Sequence, residues 1–245
     1  MTPDRPYYEA YDERYKAIHK TGAAWFTDTP TPILGDVMTR YAITRETPML
    51  ELGCGEGRDA GPLLAAGYDL LATDVSAAAV AWCRERWPDH AGRFAVLDAV
   101  RGELEGKYPF LFAVAVVHML LTDEDRAAFY SFVRDHLTAD GIALLCSMGD
   151  GETEQTSDPA EAFALREREH DGKTVRVAGT SCRMVSWETW ERELSESGLA
   201  VREKGMTSIP GEFPEMMYVV VDKTARQDPF PWITPAASAP RCPPR

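Results

Sequence analysis

Residues 49–76, MLELGCGEGRDAGPLLAAGYDLLATDVS, limit the fold more than any other stretch of the chain. An apolar run (Met49, Leu50, Leu52) ends in a glycine-rich turn, Gly53-Cys54-Gly55-Glu56-Gly57. A helix-like segment over 58–66 follows and stops at Gly67, as a C-terminal glycine stops a helix. A second apolar run, 70–73, ends on Asp74. Strand, glycine loop, helix, strand, acid is the order of a unit that binds its ligand at the carboxyl edge of a parallel sheet. Glycines let the backbone approach the ligand, and the helix N-terminus offers unpaired N–H groups to an anionic part of it. An acid at the tip of the second strand, about twenty residues on, can accept the hydroxyls of a ribose.

A phosphate-cradling loop would need Gly-Lys-Ser/Thr where this chain has Gly57-Arg58-Asp59. A dinucleotide loop needs G-x-G-x-x-G/A, and residues 55–60 match it, so a nicotinamide-dependent oxidoreductase stays open on that pattern. Residues 51–59, ELGCGEGRD, resemble the first motif of class I S-adenosylmethionine-dependent methyltransferases. The G-C-G-x-G-x-D form is similar to the thiopurine, thiol and tellurite-resistance branches, and the resemblance extends over about residues 7–222. It implies a Rossmann-like α/β fold: a seven-stranded methyltransferase sheet with an antiparallel last strand. The cofactor it implies is S-adenosyl-L-methionine. The implied activity is methyl transfer to a small-molecule acceptor, a thiol, chalcogen or amine. The amino-acid end of the donor would lie on Glu51, Gly53, Cys54, Gly55, Gly57 and Arg58. Its ribose would lie on Asp74 and its adenine by Val75, Asp98 and Ala99, with Val116 alongside. A non-catalytic protein that only binds the donor is a second alternative.

Composition narrows the partners. The 245 residues carry 39 acids against 26 Lys and Arg, a formal charge of −13. A surface that tracks phosphates needs clustered cations, so nucleic acid is not expected as a partner. Hydrophobic residues make up 44%, enough for one packed domain over 1–223. The five cysteines form no C-x-x-C pair, so neither a metal site nor a disulfide framework is expected. The N-terminus lacks an apolar signal core, and the longest apolar run, 110–117, is too short for a bilayer. The expectation is a cytoplasmic protein without a membrane partner, monomeric or homodimeric.

Residues 7–20 read as a helix with Tyr8, Tyr11 and Tyr15 on one face. The resemblance implies that 7–41 forms an N-terminal helical lid, with Tyr15 toward the cofactor and Tyr11 toward the acceptor. Trp25 to Pro32, WFTDTPTP, is extended by its prolines. It is similar to the W-x-x-x-x-P segment beside the active site in the thiol and thiopurine branches. Two roles are open to Trp25: a cation–π contact on the donor sulfonium, or a plug between lid and core. Asp28 is a candidate for orienting an acceptor.

A helix over 33–41 leads into the first strand. Ser76 caps a helix over 77–87, closed by Pro88, and residues 93–98 form a strand ending on Asp98. The unbroken apolar run 110–117 reads as a strand buried on both faces, with His118 at its carboxyl end. Residues 116–120, VVHML, are similar to the V-L-H-x-L of many small-molecule methyltransferases. His118 is therefore either a catalytic general base or a wall residue hydrogen-bonded into the scaffold. Thr122 caps a helix to about 136, and Asp140-Gly141 turns the chain into a strand over 142–146.

Residues 149–186 break the strand–helix alternation. Two strand-like runs, 163–170 and 173–178, flank Asp171-Gly172, a strong hairpin signal. This β-hairpin insertion is expected as a substrate cap, with Arg183 a candidate acceptor ligand. Ser186 caps a helix over 187–197 that ends at Gly198. The last strands, 199–206 and 216–222, are joined by a connection short enough to imply an antiparallel pair, which favours S-adenosylmethionine over a nicotinamide cofactor. Residues 224–245 are proline-rich and read as a mobile tail.

Overall fold

The computed structural model describes residues 5–25, 29–170, 172–210 and 212–223, and of Lys173 the backbone. Asp28 and the proline-rich tail lie outside the described residues. Inside the sheet lies β1 (Met49–Leu52), buried along its whole length because helices cover both faces of the sheet. It pairs in parallel with β2 (Leu70–Asp74) on one side and with β4 (Tyr108–Val114) on the other. β3 (Phe94–Val96) extends the sheet past β2, and β5 (Leu137–Met148) extends it past β4. β11 (Phe213–Asp222) runs antiparallel to β5 and to β10 (Ala200–Ile209). The order is β10-β11-β5-β4-β1-β2-β3, with β11 the one reversed strand. The strand order changes direction between β1 and β4, and ligands bind at that point in such sheets.

Two apolar layers sandwich the sheet. Phe110 and Phe112 of β4 point to the layer of α2 (Pro32–Arg40), α3 (Ala60–Ala65) and α4 (Ala77–Arg86). Leu111 and Ala113 point to the layer of α5 (Asp123–His136) and α6 (Trp187–Glu196), where Phe129, Val133 and Trp190 sit. Alternation along a strand dictates this split. Each fully buried Phe or Leu contributes about 1.5–3 kcal/mol. Ser76, Thr122 and Ser186 cap α4, α5 and α6 by accepting N–H bonds from Ala79, Asp125 and Thr189.

Several boundaries depart from the sequence reading. The run 110–117 stays a strand only to Val114. Ala115 turns left-handed (φ 58°) while its N–H reaches the Cys146 carbonyl, and 117–119 then form a 3₁₀ turn. Asp140-Gly141 does not turn the chain. β5 starts directly after α5 and absorbs the pair as an irregularity between Tyr108↔Leu137 and Phe110↔Ile142. The final hairpin is longer than expected, and β6 (Gln155–Thr156) and β9 (Arg183–Met184) form an unforeseen antiparallel pair.

The helix α1 (Ala10–His19), within the segment expected as a lid, follows a 3₁₀ turn over Tyr7–Glu9 and packs on α4. The expected hairpin forms from β7 (Leu165–His170) and β8 (Lys173–Ala178), pairs His170 with Lys173, and packs on α1. Among the described residues, no helix is long and apolar enough to cross a membrane.

Candidate functional site

The glycine loop after β1 is clamped to β2 by backbone bonds. Gly53 N–H and Cys54 N–H both donate to the Thr73 carbonyl at 2.8 Å. Gly53 is left-handed (φ 77°), and a Cβ there would stand 2.3 Å from a Val116 methyl. Only glycine fits that approach. Gly55 N–H donates to Asp74 Oδ2 at 2.7 Å, and Ser76 N–H donates to Oδ1 at 2.8 Å. Gly57 supports the loop from outside, against Trp87 and Cys83.

Above this loop lies about 850 Å³ of empty space, part of it open to solvent. Of the residues expected at a site, Gly53, Cys54, Gly55, Arg58, Asp74, Val75, Asp98, Ala99, Val116, Tyr11 and Tyr15 line it. Glu51, Gly57, Trp25, His118 and Arg183 are not among its lining residues.

The lining charges are mostly negative. Burial pushes the Asp74 carboxyl up to about 6, against the pull of the Ser76 and Gly55 N–H groups, and Asp12 and Glu56 add to the rise. Its two oxygens keep lone pairs for two further donors. Asp98 Oδ1 accepts from the Val100 and Arg101 N–H groups, and Oδ2 accepts from the Tyr8 hydroxyl at 2.9 Å. The Arg58 guanidinium is held by Glu212 at 2.7 Å and by Asp59 at 3.2 Å. Glu51 lies beneath the loop, 2% exposed, and its Oε2 has no hydrogen-bond partner among the described residues. Burial, with Asp59 nearby, drives its carboxyl well above the usual range and favours the neutral acid.

Tyr8, Tyr11 and Tyr15 form the roof. The Tyr15 hydroxyl sits over Gly55, 2.8 Å from where a Cβ would be. Trp25 plugs the lid instead of facing the cavity. Its ring stacks on His170 and under the Arg14 guanidinium, while its N–H donates to Glu56. Arg183 donates to the Leu121 carbonyl and pairs with Asp123 and Glu193, so its guanidinium braces the segment after the 3₁₀ turn.

His118 is buried beside the cavity. The Met148 N–H donates to its Nδ1 at 3.3 Å, which places the proton of the neutral ring on Nε2. Burial, reinforced by Arg126, holds its pKa down to about 3. In this arrangement the ring offers an N–H, and its only lone pair is already used.

Sequence reasoning missed Tyr8 and Glu56 as site residues. Tyr8 carried a signal, its place on the Tyr11–Tyr15 face. Glu56 occupies the free position of the glycine motif and carried none. Glu56 accepts from the Trp25 N–H and contacts His19 Nε2 at 2.7 Å, so it ties the loop to the lid.

A methyltransferase-domain family matches residues 50–143. No curated protein sequence matches the chain. Among solved structures, the CcbJ methyltransferase from Streptomyces caelestis aligns with a TM-score of 0.65 at 17% identity, over 89% of this chain and 99% of that one. The glycopeptide N-methyltransferase MtfA complexed with S-adenosyl-L-methionine aligns at 0.58 and 22% identity, over 82% and 97%. A TehB-like SAM-dependent methyltransferase from Corynebacterium glutamicum aligns at 0.54 and 17%, over 88% and 97%. The fold is that of the S-adenosylmethionine-dependent methyltransferases. The names of these neighbours differ, and the likeness does not single out the thiopurine or tellurite-resistance branch.

Proposed function

We propose that this chain binds S-adenosyl-L-methionine between the glycine loop and the tyrosine roof and methylates a small-molecule acceptor. The charge of the cavity carries the reading. Glu56, Asp74 and Asp98 line it, and the lining guanidinium of Arg58 is already held by Asp59 and Glu212. A dinucleotide would bring a pyrophosphate against these acids, which disfavours a nicotinamide-dependent oxidoreductase. S-adenosyl-L-methionine brings ribose hydroxyls, an adenine amino group, an ammonium and a sulfonium, all suited to an acid-lined site.

The residues divide the work as follows. Asp74 accepts the ribose hydroxyls on its remaining lone pairs, and Asp98 faces the adenine amino group beside Val75 and Ala99. Glu56 attracts the ammonium of the donor. Tyr11 and Tyr15, in place of Trp25, present aromatic surface to the sulfonium. When bound, the cofactor supplies a methyl group on a sulfonium carbon, open to in-line displacement. The roof excludes water and holds the reacting atoms in line, the main source of rate in such a transfer. Because His118 offers an N–H, the arrangement favours acceptors that need no base from the protein, a thiolate or a neutral amine.

Calorimetric titration with S-adenosylhomocysteine and, in a parallel cell, with NAD tests the reading. Micromolar binding of the first and none of the second is expected; binding of NAD alone overturns it. Donor binding without turnover of any thiol or amine would favour the non-catalytic alternative. That no described residue of the cap insertion lines the cavity is the observation on that side.

A further inference from the structure

The lid helix has two working faces. With Tyr8 of the preceding 3₁₀ turn, its inner residues recur at spacings of four, three and four, and together they touch three loops around the cavity. Tyr8 donates to Asp98 at 2.9 Å. Asp12 accepts from the Ser76 hydroxyl at 2.7 Å and from the Ala78 N–H at 3.0 Å, next to Asp74. The Tyr15 hydroxyl lies over Gly55, and His19 meets Glu56 at 2.7 Å. The adenine, ribose and glycine-loop contacts of the proposed cofactor are thus met by the 3₁₀ turn and the helix that follows it.

Its outer residues hold the cap. The Arg14 guanidinium, 9% exposed, donates twice to the Ala178 carbonyl and once to that of Gly179, at 2.9–3.2 Å. Among the described residues it makes no ion pair with a carboxylate. The Tyr11 hydroxyl reaches the Ser181 carbonyl, and Ala10 packs with Ala162 and Ala178. Past the helix, His170 of the hairpin meets the Ala24 carbonyl at 2.7 Å and stacks on Trp25.

Neither partner in this arrangement is stable alone. A ten-residue helix is too short to persist in water without packing, and a two-stranded hairpin is marginal on its own. α1 depends on the floor, and the hairpin depends on α1. Anything that binds the floor and α1 together therefore strengthens the support of the cap.

We propose that α1 couples the two sides, with Arg14 as the positioning residue that passes donor occupancy on to the cap hairpin. Donor binding orders the hairpin as a consequence. This rests on the cofactor reading above. By linkage, an acceptor held by the cap strengthens donor binding by the same factor.

The test is amide hydrogen exchange of the full chain with and without S-adenosylhomocysteine. At a hundred times its dissociation constant the ligand slows coupled amides by about a hundredfold. In the natural chain the glycine loop, α1, β7 and β8 are expected to slow together. In Arg14→Gln the loop and α1 still slow, and the hairpin does not. His170→Asn is the second variant, should the first not fold, and is expected to reduce the slowing of the hairpin alone. Slowing of the loop without the hairpin in the natural chain, or hairpin slowing that persists in both variants, overturns the coupling. No slowing at the glycine loop overturns the cofactor reading and the coupling with it.

Discussion

The floor and the roof of the cavity are built in opposite ways. The glycine-loop side of the cavity is one continuous stretch, and its bond from the Gly55 N–H to the Asp74 carboxylate spans 19 residues. Backbone N–H groups hold it, those of Gly53 and Cys54 on the Thr73 carbonyl and those of Gly55 and Ser76 on the Asp74 carboxylate. The roof joins distant segments through side chains: Tyr8 to Asp98 spans 90 residues, Arg14 to Ala178 spans 164, and Tyr11 to Ser181 spans 170. A backbone-built surface fails when the backbone cannot adopt its path. A side-chain-built surface fails one bond at a time. Substitutions in the two regions are therefore expected to differ in size and in kind.

The largest effect is expected at Gly53→Ala. The left-handed backbone and the 2.3 Å approach to Val116 leave no room for a methyl group. Donor binding measured by calorimetry should disappear while the fold, read by circular dichroism, persists. Near-normal affinity would remove the loop from the site.

Asp74→Ala should weaken donor binding by about 1–3 kcal/mol through lost charge-assisted hydrogen bonds. The same residue sets a pH dependence. Its carboxyl titrates at about 6 in the folded chain against 3.8 for an ordinary aspartate. The folded chain thus holds the proton over that interval. The contribution of this group to stability is greatest below 3.8 and falls as pH rises to 6. Donor affinity runs the other way, because the ionised form accepts the ribose hydroxyls. It should rise as pH passes 6, and a flat profile between pH 5 and 7 would place the ribose elsewhere.

On the roof, Tyr8→Phe removes one hydrogen bond to Asp98 and should cost donor affinity about 0.5–1.5 kcal/mol. An effect as large as that of Asp74→Ala would erase the distinction between floor and roof.

The smallest effect on turnover is expected at His118→Gln. Removing a general base costs about a hundredfold or more in rate, and a loss of that size would restore the base role. Stability should respond instead. The ring titrates at about 3 folded against 6.5 normally, so its contribution is complete above 6.5 and is lost as pH falls toward 3. The variant should show a shallower acid limb in denaturation.

Much of the architecture could be read before the structure. The caps at Ser76, Thr122 and Ser186 are local, and all three formed where they were expected. Asp171-Gly172 marked the cap hairpin because two-residue turns select their residues. The reading overran β4, because hydrophobicity does not register a left-handed Ala115 whose N–H is drawn to Cys146. It also broke β5 at Asp140-Gly141, a turn signal that strand pairing overrode.

The sequence by itself determined the floor: the strand, the glycine turn and the acid at the tip of β2. These depend on backbone preferences that act within a few residues. Tertiary structure alone decided the chemistry of the side chains around it. His118 became a donor because the Met148 N–H, 30 residues away, occupies its Nδ1. Trp25 became a plug because His170 and Arg14 stack on it. Protonation and pairing are set by neighbours in space, and those neighbours come from parts of the chain that no local pattern connects.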